Sequence, residues 1–211
     1  SDDSGATWTA SDKVCLDVPI DTSSTVGGTN PGFDISRMRC AYSEGEVLLL
    51  ITGGLHQVTG VTYANVVWQY ASSDLGHSFA QIDLGGTGGC YSVPAAATGA
   101  VDLPAFIDVV AAKGGGFVAS YMRVLSPTLG GGTKTPCAML LGSAFVPWTS
   151  GTQVTLFVSS VSDVYVNRLL VQAGTSLAVD DTGVISFSFA EDFVGESNSA
   201  ISLDNGATWT W

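Results

Sequence analysis

The last ten residues, Ser202-Leu203-Asp204-Asn205-Gly206-Ala207-Thr208-Trp209-Thr210-Trp211, constrain the fold more than any other stretch, because their pattern also opens the chain and recurs between. In S-x-D-x-G-x-T-W the Asp carboxylate accepts hydrogen bonds from N–H groups of its own turn, Gly supplies a positive φ, and Thr and Trp begin a strand. The opening copy places Ser1, Asp3, Gly5, Thr7 and Trp8 in the same order. A third copy has Ser72, Asp74, Gly76, Ser78 and Phe79, with Ser for Thr and Phe for Trp. A degenerate fourth, Gly142 to Trp148, keeps only the Trp. Trp8 to Phe79 is 71 residues, Phe79 to Trp148 is 69 and Trp148 to Trp209 is 61. Recurrence at near-constant spacing predicts a repeat architecture.

The pattern resembles the Asp-box, or BNR repeat, of the sialidase-like β-propellers. The resemblance implies that each box is the turn between the third and fourth strands of a four-stranded blade. The aromatic after the turn then packs between neighbouring sheets, so Trp8, Phe79, Trp148 and Trp209 are expected in the core.

In chain order, residues 1–20 read as the end of a preceding blade and 21–36 as a loop, from their Gly, Pro, Asn and Ser content. Residues 37–83 read as one blade. Its strands are Met38–Tyr42, Val47–Thr52, Thr62–Ala71 and Phe79–Ile82, with a hairpin at Ser43-Glu44-Gly45-Glu46 and a connector over 53–60. The same syntax gives blades at 104–150 and 166–211. The second has strands Phe106–Ala112, Phe117–Val124, Cys137–Leu141 and Val146–Thr149, with a Gly-rich connector at 129–133. The third has Leu170 or Leu177 to Val179, then Val184–Phe189 and Ala200–Ser202, with a polar connector at 191–198. No segment keeps a 3.6-residue period, so the expected fold is all-β, a sialidase-like propeller of about three antiparallel four-stranded blades. Closed propellers use about four to eight blades. The ring is therefore expected to be incomplete, or completed by additional chain or a neighbouring subunit. A start inside a repeat suggests a processed product or an excised portion of a longer protein.

Net charge sets the partners. Nineteen acids against seven bases give −12, which excludes nucleic acid and anionic membrane surfaces as natural partners. No apolar run approaches a membrane span, so no membrane insertion is expected. Charged residues make up only 12% of the chain, and the surface must be built largely from Ser, Thr and Gly, which suggests a secreted or cell-surface protein. In that setting Cys15, Cys40, Cys90 and Cys137 could form two disulfides. Sequential pairing, Cys15 with Cys40 and Cys90 with Cys137, is one of three connectivities, and four free thiols are the alternative.

The resemblance also implies what a hydrolase of this fold would need: three arginines on a sugar carboxylate, a Tyr activated by a Glu, and an acidic Asp. Guanidinium forks suit a carboxylate because they donate two parallel hydrogen bonds. The candidates here are Arg39, Tyr42 and Glu44, with Tyr121 beside Arg123; a third arginine has no evident place. No Ser stands in a nucleophile elbow, and His56 and His77 sit in turns. Asp180-Asp181 lacks the alternating oxygens of a calcium loop and reads as a polar hairpin, and no cofactor or metal is expected. Trp68, outside any box, is the candidate for ligand contact. The reading that results is a non-catalytic structural or adhesive module. It would pack into a larger assembly, self-associate or present loops to glycans. The alternatives are a portion of an exo-sialidase or related glycosidase, and a self-assembling filament or coat subunit.

Overall fold

The computed structural model describes residues 33–55, 64–85, 91–92, 101–128, 131–155, 175–190 and 197–210. These form twelve strands and one 3-10 turn. The first sheet runs β1 (Phe33–Ser43), β2 (Glu46–Leu55), β3 (Ala64–Ser72), β4 (Ala80–Ile82), with β5 (Tyr91–Ser92) also paired to β3. The second runs β6 (Val101–Ala111), β7 (Phe117–Thr128), β8 (Gly131–Leu141), β9 (Thr152–Thr155). The third runs β10 (Thr175–Val179), β11 (Ile185–Ala190), β12 (Ser197–Ser202), with Thr210 bridged to Ile201 where a fourth strand would start. Every pairing is antiparallel, and all but β3 with β5 join chain neighbours, so the main path of each sheet is an open meander.

Registers make the three sheets equivalent. The residue ending the third strand, Ser72, Leu141 or Ser202, pairs with the first apolar residue of the second strand, Val47, Phe117 or Ile185. One step back, Ala71 pairs with Ala80 and Ile201 with Thr210, nine residues apart in both cases. The second sheet needs twelve, Leu140 to Thr152.

The second strands show why the sheets stack in chain order. In β2, Leu48 and Leu50 pack toward the second sheet while Leu49 and Ile51 are buried on the other face. In β7, Phe117, Ala119 and Tyr121 face the first sheet and Val118 faces the third. A strand covered on both faces has no polar side to show, hence the unbroken runs Val47–Ile51 and Phe117–Ala119. In β11 Ile185 and Phe187 are buried while Ser186 and Ser188 on the opposite face are not, and the sequence alternates. Each fully buried Leu, Ile or Phe stabilises by roughly 1.5–3 kcal/mol. Edge-to-face pairs sit at both interfaces, Tyr121 with Trp148 at 5.1 Å and Phe187 with Trp209 at 6.1 Å.

Several expected boundaries are corrected. The loop expected over 21–36 ends earlier, because Phe33 pairs with Leu55 and β1 continues past a bulge between Ile35 and Arg37. Gly53–Leu55 belong to β2 for the same reason. The connector expected at 129–133 is largely strand: β7 and β8 extend as a hairpin to Thr128 opposite Gly131. Ser197 and Asn198 are strand, paired with Ala190 and Phe189. The fourth strand expected at Val146–Thr149 is displaced to β9, because Trp148–Ser150 forms the 3-10 turn. The expected preceding blade at 1–20, with Ser1, Asp3, Gly5, Thr7 and Trp8, lies outside the described residues, as do Cys15, His56 and Cys90.

Candidate functional site

The two described Asp-boxes are the same object atom for atom. Ser72 Oγ donates to Asp74 Oδ1 at 2.6 Å and accepts from the N–H groups of Asp74 and Gly76. Asp74 Oδ1 accepts from Ser78 N–H at 2.9 Å, and Oδ2 accepts from Ser78 Oγ at 2.6 Å. Ser202, Asp204, Gly206 and Thr208 repeat every bond, with Thr208 N–H to Asp204 Oδ1 at 2.8 Å and Oγ1 to Oδ2 at 2.6 Å. The carboxylate thus takes the place of water for the turn's donors. The backbone requires two left-handed residues in a row, Leu75 and Gly76 in one box and Asn205 and Gly206 in the other. Glycine is favoured at the second in the last box, where a positive φ coincides with a Cβ on Gly206 coming within 2.9 Å of Leu140 Cδ2.

These bonds hold both carboxyls well below the usual 3.8. For Asp74 the Ser72 hydroxyl is the largest cause, followed by the Ser78 hydroxyl and N–H. For Asp204 it is the Thr208 hydroxyl, followed by the Thr208 N–H. Asp180 is lowered in the same way, chiefly by the Thr182 hydroxyl and then by Val184 N–H, within a hairpin at Asp180–Val184. Donors that favour the charged form depress a carboxyl even in full contact with water.

The degenerate corner keeps the job and changes the supplier. Where the box carboxylate would stand, the second sheet has Ser143, and Glu46 of β2 reaches across. Its Oε2 accepts from Ser143 Oγ at 2.8 Å and from Ala144 N–H at 2.7 Å. Gln69 of β3, fully buried, donates Nε2 to Ala144 O at 2.8 Å and Val146 O at 2.7 Å, and its Oε1 accepts from Trp148 N–H at 2.7 Å. The polar residues that secure this turn are therefore 75 to 98 positions away in sequence. A Gln inside the apolar run Val66-Val67-Trp68-Gln69-Tyr70-Ala71 was the available sequence signal. The last box is seated similarly: Asn205 accepts from Lys113 N–H at 3.1 Å and donates to Lys113 O at 3.0 Å.

The hydrolase candidates do not converge. Arg39 pairs through Nε with Asp108 Oδ1 at 3.2 Å, and Asp108 Oδ2 accepts from Leu177 N–H at 2.9 Å, so these groups link the first strands of all three sheets. Tyr42 is exposed on β1, on the face opposite Arg39, as strand alternation dictates. Glu44 sits at φ 47 in the β1–β2 hairpin beside Gly115. Tyr121 is buried edge-on against Trp148, sealed from any substrate. Arg123 occupies a β7 position opposite Asp102 and Thr135. Trp68 is corrected outright: it is fully buried opposite Ile51 on β3, so it offers no stacking platform. The box aromatics Trp148 and Trp209 enter the two inter-sheet cores, and Phe79 is half-buried.

Cys40 is exposed and Cys137 buried, and their expected partners in the sequential pairing, Cys15 and Cys90, lie outside the described residues. Cys137 faces the core, 3.6 Å from Gln153 Nε2. Among the described residues no three His, Cys, Asp or Glu side chains gather as a metal site, and no helix is long and apolar enough to cross a membrane. No protein-family model and no curated protein matches the chain.

Proposed function

We propose that this chain is a non-catalytic structural or adhesive module, an incomplete sialidase-like propeller whose three stacked meanders are successive blades with Asp-box corners. Its setting is extracellular or at a cell surface. The ring is completed by further chain of the same protein or by a neighbouring subunit, and glycans are the ligand class its loops would meet. The observation that carries the reading is the contrast between the two features just described. The corner bonds are kept, and where the box residues are lost Glu46 and Gln69 replace their work. The residues a glycosidase needs are instead spent on an inter-sheet ion pair, a hairpin tip and a core aromatic. A fold shared with enzymes carries no catalysis without the site.

A fluorogenic sialoside assay on the purified chain, together with native mass spectrometry, tests the proposal. The expected result is no turnover above the rate of an Arg39→Ala/Arg123→Ala variant. Turnover abolished by that double substitution overturns the reading in favour of the glycosidase. Discrete higher oligomers would identify a neighbouring subunit as what completes the ring.

A further inference from the structure

In an antiparallel meander, the tip between strands one and two and the corner between strands three and four lie at the same end of the sheet. Contacts between tips carry this across the stack: Glu44 lies against Gly115, and Lys113 Nζ donates to Thr182 O at 2.9 Å. One end of the molecule is therefore a continuous surface of hairpin tips and box corners. Such turns are normally built from Gly, Asn, Asp and Ser. This end also exposes Tyr42 (56%), Leu75 (67%), Phe145 (40%), Val179 (39%) and Leu203 (76%).

Leu75 is the most telling. It occupies the position that Asn205 holds in the sister box, with nearly the same backbone, φ 61 against 57. Asparagine tolerates that left-handed conformation and there hydrogen-bonds the neighbouring tip; leucine adopts it at a conformational cost. Its side chain stands in water, so neither turn chemistry nor core packing accounts for the choice. A single exposed apolar residue needs no explanation, but a set gathered at one end does.

The charge at this end selects the occupant. Glu44, Asp74, Asp180, Asp181 and Asp204 are all exposed here, against Lys113 as the one Lys or Arg among the described residues of these tips. With −12 on the whole chain, a second copy would meet like charge. We propose that this end is a docking surface for a basic partner segment, with lysines or arginines spaced between apolar side chains that cover Leu75, Phe145 and Leu203. The inference adds a partner to the structural module proposed above and rests on that reading.

The test is fluorescence anisotropy of the full chain against two labelled peptides of equal length and charge, one alternating Lys and Leu, the other Lys and Ser. The Lys-Leu peptide is expected to bind at least about tenfold more tightly, in a salt-sensitive manner. The variant Leu75→Asn/Leu203→Ser is expected to erase that margin without lowering the melting temperature, since Asn205 demonstrates that asparagine fits the turn. Equal affinities for the two peptides, or a margin that survives in the variant, overturns the proposal. The docking test is read as binding through Leu75 and Leu203 and the sialoside assay as turnover through Arg39 and Arg123, so failure of the docking surface and failure of the structural reading are separately visible.

Discussion

Replacing Gln69 by Leu removes three hydrogen bonds of 2.7–2.8 Å from a site with no access to water, at nearly constant volume. The substitution leaves Ala144 O, Val146 O and Trp148 N–H without their partner. Each orphaned buried group costs about 1–3 kcal/mol. Phe145 is exposed and Val146 and Pro147 only half-buried, so relaxation toward solvent puts the sum near the lower end, about 3 kcal/mol. For a chain of this size that corresponds to a fall in Tm of about 6–12 °C. Urea unfolding followed by tryptophan fluorescence is the assay, since Trp148, the residue held, is one of the chain's five tryptophans. Gln81→Leu on exposed β4 serves as the control, with an expected change within about 0.5 kcal/mol. Gln69→Glu should be worse than Leu at neutral pH, because a carboxylate oxygen would face two carbonyls, and should recover stability as the pH falls and the acid is protonated. A Gln69→Leu loss no larger than that of Gln81→Leu would refute the claim that the first sheet secures the second sheet's corner.

The remaining predictions concern the boxes and the inter-sheet link. Asp74 and Asp204 have depressed folded pKa values, so their contribution is fully present above the unfolded value of 3.8 and is lost as pH falls below it. Urea midpoints of the wild type should therefore drop below about pH 4, with a shallower drop in Asp74→Asn/Asp204→Asn. Gly206→Ala should cost about 1–3 kcal/mol, from the left-handed backbone plus contacts of 2.9 Å to Leu140 and 3.1 Å to Val118; Gly45→Ala, with nothing within 4 Å, should cost about 1 kcal/mol, as compared by thermal melts. Asp108→Ala should destabilise by about 1–2 kcal/mol, because it strands Leu177 N–H, whereas Arg39→Ala, removing a partner 43% exposed, should cost under about 1 kcal/mol in the same unfolding assay.

Where bonds run between residues of one turn, the sequence was a sufficient guide. Ser, Asp, Gly and Ser or Thr at fixed offsets specify donors and acceptors within seven residues, and both described boxes close as those offsets dictate. The meander order was legible for the same reason, since turn residues punctuate runs of β-forming ones. Strand ends were less so: Phe33, Gly53 and Gly131 are strand because a partner strand reaches them, a fact recorded in the partner and not in the local composition. Pro147, read as lying in the last strand of the second unit, instead leads into a 3-10 turn that postpones that strand to Thr152.

By itself the amino-acid order determined an all-β fold of antiparallel meanders, and it determined which carboxylates would be held charged by their own turns. It also recorded which strands would be covered twice and which once, in the contrast between Val47–Ile51 and the alternation of Ile185 to Phe189. Tertiary structure alone decided that Glu46 and Gln69 would finish a corner nearly a hundred residues away, that Trp68 would be sealed inside, and that Arg39 would be committed to Asp108. The reason is reach: a turn's bonds are satisfied by neighbours along the chain, whereas a side chain on a sheet face meets whatever the next sheet presents, and that depends on how the sheets stack.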